Sequence, residues 1–162
     1  MSTVGPIEVA DAVAMRVLGA TLARDLRAGD LVLLGGELGA GKTTLTQGIG
    51  AGLDVRRPVT SPTFVIARLH ASLSGGPPLI HVDAYRLGGW DELEDLDLET
   101  TLDQAVTVVE WGEGLAEGLA PDRLDVHIHR TVGDAPAGTT WDVREVTITG
   151  VGVRWAGVEM RP

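Results

Sequence analysis

Hydrophobic and polar positions follow two rhythms along this chain. From Ala12 to Arg27 the apolar residues Val13, Val17, Leu18 and Leu22 recur at helical spacing. Asp11 stands where a cap belongs and Gly29 where the helix would end. Ile7–Val9 is a short strand-like run ahead of it. DLVLLGG, Asp30 to Gly36, is an unbroken apolar run entering a glycine-rich turn, the pattern of a buried strand. KTTLTQGIGAGL then reads as a helix in spite of its glycines. Pro62–His70 and Leu79–Leu87 read as strands joined by the turn-rich SLSGGPP, a hairpin spacing that predicts antiparallel pairing. WDELEDLDLETTL is acidic and helical in part. Val106–Trp111 is an apolar, β-branched strand, and GEGLAEGLA a short helix or turn before Pro121. DRLDVHIHR and TTWDVREVTITG alternate as half-buried strands do, with TVGDAPAGTT as a loop between them. VGVRWAGVEMRP at the end fits no single pattern.

That order predicts an α/β fold, a three-layer arrangement around a mixed parallel and antiparallel sheet. No repeat or linker interrupts it, so one domain over residues 1–162 is expected. Apolar residues make up 44% of the 162, a globular composition. There is no cysteine, which excludes disulfides and thiolate chemistry and fits a reducing cytoplasm. The N-terminus lacks a basic start with a long apolar run, and no window resembles a membrane span. The net charge of −10 disfavours direct tRNA or DNA binding, which needs a basic face to neutralise phosphates. Such a chain can still bind one phosphate ligand through backbone N–H groups and a few placed cations.

The chain holds one lysine among thirteen basic residues. It is Lys42, inside GELGAGKT, which fits G-x-x-x-x-G-K-[ST] from Gly36 to Thr43. The segment follows an apolar strand and precedes a helix, the context a phosphate-binding loop requires. Glycines let the backbone wrap around phosphate oxygens, and the helix start adds positive potential. Lys42 is placed to reach β- and γ-phosphates, and the Thr43 hydroxyl to bind Mg²⁺. A compact ammonium fits the mouth of such a loop where a guanidinium fork needs more room.

A loop of this kind needs a carboxylate on a neighbouring strand. Asp83 and Glu110 both end apolar strands, at the edge where open α/β sheets bind ligands. Glu110 is assigned to Mg²⁺ and Asp83 to the water, roles that can be exchanged. Thr60, Ser61, Pro62 and Thr63 form a hydroxyl-bearing segment able to sense a γ-phosphate. Arg68 and Arg86 are further cations for developing phosphate charge or for surface pairing. His81 alternates with Asp83, and local hydrogen bonding explains it better than a metal does. LSGG echoes an ABC-transporter signature, but Pro77-Pro78 and a strand follow at once, so it reads as a hairpin loop.

GELGAGKTT, TSPTF, HVDAYRL, DELEDLDLE and VEWGE, in that order, resemble the TsaE family, small P-loop ATPases of bacterial threonylcarbamoyl-adenosine tRNA modification. The resemblance spans nearly the whole chain and loosens after about Thr131. It implies a P-loop NTPase-like fold and an ATP site at Gly36, Glu37, Leu38, Gly39, Ala40, Gly41, Lys42, Thr43 and Thr44. It further implies Mg²⁺ on Thr43 and Glu110, Asp83 in hydrolysis, Thr60–Thr63 as a switch, and an adenine pocket near Asp11. It also implies TsaB and TsaD as partners whose turnover ATP hydrolysis drives.

Two other readings compete. A small-molecule kinase usually needs an arginine-bearing lid, and no such segment is evident. A nucleotide-dependent binding module without turnover would have little use for both Asp83 and Glu110. A GTPase is disfavoured, since guanine recognition by N-K-x-D needs a second lysine. Lys42→Arg is expected to nearly abolish ATP turnover, measured as phosphate release; near-wild-type release would contradict the point-charge account of Lys42.

Overall fold

A computed structural model describes residues 1–61, 66–131 and 142–161. Its centre is a seven-stranded mixed sheet. The strands are β1 (Ser2–Val9), β2 (Leu31–Gly36), β3 (Ala67–His70), β4 (Leu79–Asp83), β5 (Val106–Glu110), β6 (Arg123–Arg130) and β7 (Arg144–Val151). Their order is β1-β7-β6-β2-β5-β4-β3. β2 pairs in parallel with β5 and β6, and β5 with β4, while the pairs β3–β4, β6–β7 and β7–β1 are antiparallel. The helices are α1 (Ala12–Leu22), α2 (Lys42–Gly52), α3 (Trp90–Glu94) and α4 (Glu99–Leu102).

The burial pattern explains the layering. All of β5, and β2 up to Gly35, is buried, as central parallel strands covered on both faces must be. Val32, Leu34, Val106 and Val108 face α1 and α2 in one core with Met15, Leu18, Leu45 and Ile49. Leu31, Leu33, Ile80, Val82 and Val109 face the other way, onto Leu93 of α3, Leu98, and the Ala116–Leu119 turn. β6 and β7 bury alternate residues only, so their second face stays partly open. The three layers and mixed sheet match the arrangement expected from sequence. Among the described residues, no helix is long and apolar enough to cross a membrane.

Several boundaries move, each for a physical reason. β1 is longer than Ile7–Val9 because it is an edge strand that absorbs Gly5-Pro6 at a register shift between Val4 and Ile7. The α1 helix stops at Leu22 rather than Arg27. The chain winds on in tighter i→i+3 turns (Arg24 to Thr21, Asp25 to Leu22, Leu26 to Ala23), which keep Leu26 buried. β4 ends at Asp83, whose Oδ1 accepts the Tyr85 N–H at 3.0 Å and turns the chain. The acidic run makes two short helices, with Asp97 at a left-handed φ of 53° between them. Leu73–Gly76 is the β3–β4 connection, closed by N–H bonds from Ser74 and Gly76 to Ser72 Oγ. The expected strand start at Pro62 and the loop from Val132 lie outside the described residues.

The glycines of α2 are its packing surface. A Cβ on Gly48 would lie 2.2 Å from the Arg16 carbonyl oxygen of α1, and one on Gly52 would lie 2.6 Å from Ala23 Cβ. Gly19 of α1 reciprocates, with its Cβ direction 2.4 Å from the Leu45 carbonyl. Helix propensity alone favours Gly48→Ala by roughly 1 kcal/mol. Overpacking against backbone costs about 1–3 kcal/mol before any such gain and cannot be relieved by a rotamer change. The variant is therefore expected to lose stability, with a melting temperature lower by several degrees in thermal unfolding; a rise would show that propensity outweighs packing here.

Candidate phosphate and metal site

The segment after β2 is built by backbone geometry. Gly36 has φ 140° and leaves no room for a side chain, since a Cβ would lie 2.4 Å from the Ile128 carbonyl. Gly41 caps α2 at φ 110°, a left-handed value that favours glycine. The loop thus leaves β2 sharply and delivers Lys42 and Thr43 as the first residues of α2.

Lys42 is buried, and its ammonium donates to the carbonyls of Gly36 and Glu37, each at 2.8 Å. It also lies 3.9 Å from the centre of the Trp111 ring. Burial pushes its pKa below the ordinary lysine value, while the carboxylates of Glu110, Asp83, Glu113 and Glu37 act in the opposite sense. Trp111 takes a left-handed φ of 62°, rare for a bulky residue, directly after β5. Its N–H donates to the Leu34 carbonyl at 3.0 Å, and its ring meets Tyr85 with centroids 4.9 Å apart.

Asp83 and Glu110 are register partners on the parallel pair β4–β5. With Val106 and Val108, Glu110 shares the face turned to α2. Its carboxylate is 4% exposed and accepts the Thr43 hydroxyl, at 3.0 Å to one oxygen and 3.2 Å to the other. Fully buried His81, two residues before Asp83, brings Nε2 to the same carboxylate. A carboxylate oxygen accepts, so the bond runs from the Nε2–H of His81 to Glu110, and Nδ1 has no partner among the described residues. Local bonding therefore accounts for one ring nitrogen of His81 and not the other.

A cavity of about 360 Å³ opens here, a volume suited to a small ligand. Leu38 through Thr44, Ser61, Asp83, Arg86, Glu110 and Trp111 line it together with Ile66 and Tyr85. Gly36 and Glu37 are not in the lining, although their carbonyls bond Lys42, which is. Arg68 and Thr60 are not among the lining residues; Pro62 and Thr63 lie outside the described residues. Asp11 is not in the lining either: its Oδ1 accepts the Ala14 N–H at 2.7 Å and caps α1, the role its position in the pattern predicted. Arg144 of β7, which the motifs do not flag, reaches the loop's outer side, donating to the Ala40 carbonyl at 3.0 Å.

The donor set suits Mg²⁺. A hydroxyl and a carboxylate already in contact, with a second carboxylate in the same cavity, are hard oxygen ligands. No group of three or more His, Cys, Asp or Glu among the described residues could hold a metal alone. Water and ligand phosphate oxygens would complete the shell, the usual manner of Mg²⁺ binding.

Fold and loop together define a P-loop NTPase-like protein. A family model described as "Threonylcarbamoyl adenosine biosynthesis protein TsaE" matches residues 9–136. A Streptomyces coelicolor protein named tRNA threonylcarbamoyladenosine biosynthesis protein TsaE is 64% identical over 147 residues, covering 90% of this chain and 97% of that protein. A Mycobacterium tuberculosis protein of the same name is 50% identical over 131 residues, covering 76% and 78%. The crystal structure of Bacillus subtilis YdiB superposes with a TM-score of 0.73 at 32% identity, covering 96% of this chain and 90% of that one. The chain belongs to the TsaE family.

Two carboxylates in one cavity can be separated by experiment. Glu110→Ala is expected to remove the Mg²⁺-dependent part of nucleotide affinity, about tenfold or more, while Asp83→Ala retains most of it. Binding titrations with and without Mg²⁺ check this, and the opposite order would exchange the two roles.

Proposed function

We propose that this chain is a Mg²⁺-dependent ATPase serving threonylcarbamoyladenosine formation on tRNA, acting on a TsaB–TsaD pair rather than on tRNA itself. The observation that carries the reading is the convergence of Lys42, Thr43, Asp83 and Glu110 on one cavity at the carboxyl edge of β2, β4 and β5. Membership of the TsaE family supports the pathway. The net charge of −10 suits a protein that leaves tRNA to its partners.

In this reading the loop amides between Gly36 and Thr44 bind the phosphates, and Lys42 exchanges its carbonyl partners for phosphate oxygens. Thr43 and Glu110 would hold Mg²⁺, whose charge would help neutralise the phosphates. Asp83 orients a water whose oxygen bonds to the γ-phosphorus. The bond from that phosphorus to the bridging oxygen breaks, leaving ADP and inorganic phosphate, and the proton the water gives up passes to solvent. Ser61, on the cavity wall, belongs to the segment placed to respond to the γ-phosphate.

Phosphate release from ATP and Mg²⁺ tests the proposal, measured with the chain alone and with the TsaB–TsaD pair. Slow release alone and faster release with the pair is the expected result. No release under either condition would replace it with a nucleotide-dependent binding module, and transfer to a metabolite would replace it with a kinase.

A further inference from the structure

The family model ends at residue 136, yet a residue beyond it touches the phosphate loop. Arg144 opens β7, where it pairs in register with Val9 of β1 and Arg130 of β6. It is 3% exposed, on the same face as Val146 and Ile148 in the α1–α2 core. Its Nε donates to the Ala40 carbonyl at 3.0 Å and Nη2 to the Gly39 carbonyl at 3.2 Å. Nη1 donates to the carbonyl of Asp142, whose carboxylate pairs with Arg130 at 3.0 Å.

The two loop carbonyls it grips belong to peptide units flanked by glycine. Gly39 has φ 76° with nothing within 4 Å of its Cβ direction, and Gly41 has φ 110°. Side-chain packing at Gly39 therefore does not fix the loop, and glycine costs little to rotate. A peptide unit is planar and trans, so its C=O and N–H point in opposite directions. Gripping the Ala40 carbonyl therefore fixes the Gly41 N–H, while gripping the Gly39 carbonyl backs the peptide whose Ala40 N–H donates to the Glu37 carbonyl at 3.0 Å. A guanidinium fork meets two adjacent carbonyls at once; an ammonium meets them as a point.

We infer that Arg144 is a positioning residue that presets the phosphate loop by clamping the Gly39 and Ala40 carbonyls from β7. It acts through the backbone and needs no contact with nucleotide. The inference rests on the nucleotide-binding reading of Gly36–Thr44, and its test keeps the two apart. ADP affinity by calorimetry is measured for wild type, Arg144→Met and Arg144→Lys, alongside amide hydrogen exchange without nucleotide.

Arg144→Met is expected to weaken ADP binding about tenfold. It should also speed exchange at residues 38–42 while β5 and α1 stay protected as in wild type. Arg144→Lys should fall between. ADP affinity within twofold of wild type in Arg144→Met would overturn the clamp, as would full retention by Arg144→Lys, since charge alone would then suffice. Faster exchange spread over β5 and α1 would also overturn it, making Arg144 a general packing residue. Should Arg144→Met fail to fold, Arg144→Lys decides: a loss of threefold or more with loop-confined exchange supports the clamp. Wild type failing to bind ADP would sink the nucleotide reading, while loop-confined exchange in the variants would still support the clamp.

Discussion

A carboxylate withdrawn from water must be paired, and Glu110 is such a group at the end of a fully buried strand. Its partners are the Thr43 hydroxyl, on the first turn of α2, and the His81 ring on β4. One side chain therefore joins three elements: the strand that carries it, the helix that follows the phosphate loop, and the strand that carries Asp83. Satisfying Glu110 fixes the start of α2 against the sheet, which in turn fixes where the loop's N–H groups lie. The same requirement explains why His81 is buried with one nitrogen unpartnered: the cost of that nitrogen is offset by the bond its neighbour makes.

The loop must also stay open in shape while lined by glycine, and two kinds of contact hold it. From inside, Lys42 bonds the Gly36 and Glu37 carbonyls. From outside, Arg144 bonds those of Gly39 and Ala40. Both are cations donating to carbonyls, and the Ala40 N–H adds a third tie inside the loop, donating to the Glu37 carbonyl at 3.0 Å. The two cations differ in replaceability. Lys42 is a flexible point charge that can swing to a phosphate, whereas Arg144 is a planar fork seated in the core. That difference is a physical reason for a chain with twelve arginines to keep its one lysine at this position.

How much of this was legible in the sequence depends on whether the signal is local. The loop and the Asp11 cap are read from a few adjacent residues, and so is the hairpin around Ser72, and the structure has them where they were expected. The shared edge of Asp83 and Glu110 followed from each ending an apolar strand. The register that makes them neighbours could not be read, because it depends on pairing across 27 residues. His81 and Glu110 pose the same difficulty, although the alternation of His81 with Asp83 placed those two on one face. Arg144 did carry a signal: in REVTITG it occupies the face that Val146 and Ile148 bury, where a cation is out of place unless paired. Its partners lie more than a hundred residues away on backbone atoms, which no side-chain motif records.

Charge sets the last constraint. Four carboxylates, those of Glu110, Asp83, Glu113 and Glu37, act electrostatically on Lys42. A nucleotide triphosphate brings several more negative charges into the same cavity, and one ammonium cannot balance them all. Like charges a few ångströms apart in a partly dry site repel strongly. On the proposed reading, a phosphate ligand arriving with a divalent cation would meet less repulsion than the bare anion. Thr43 and Glu110, already in contact, line the same cavity as Lys42 and are the oxygen ligands such a cation would take. On the same proposed reading, the acidic surroundings of the loop would not oppose nucleotide binding; they would make it conditional on metal.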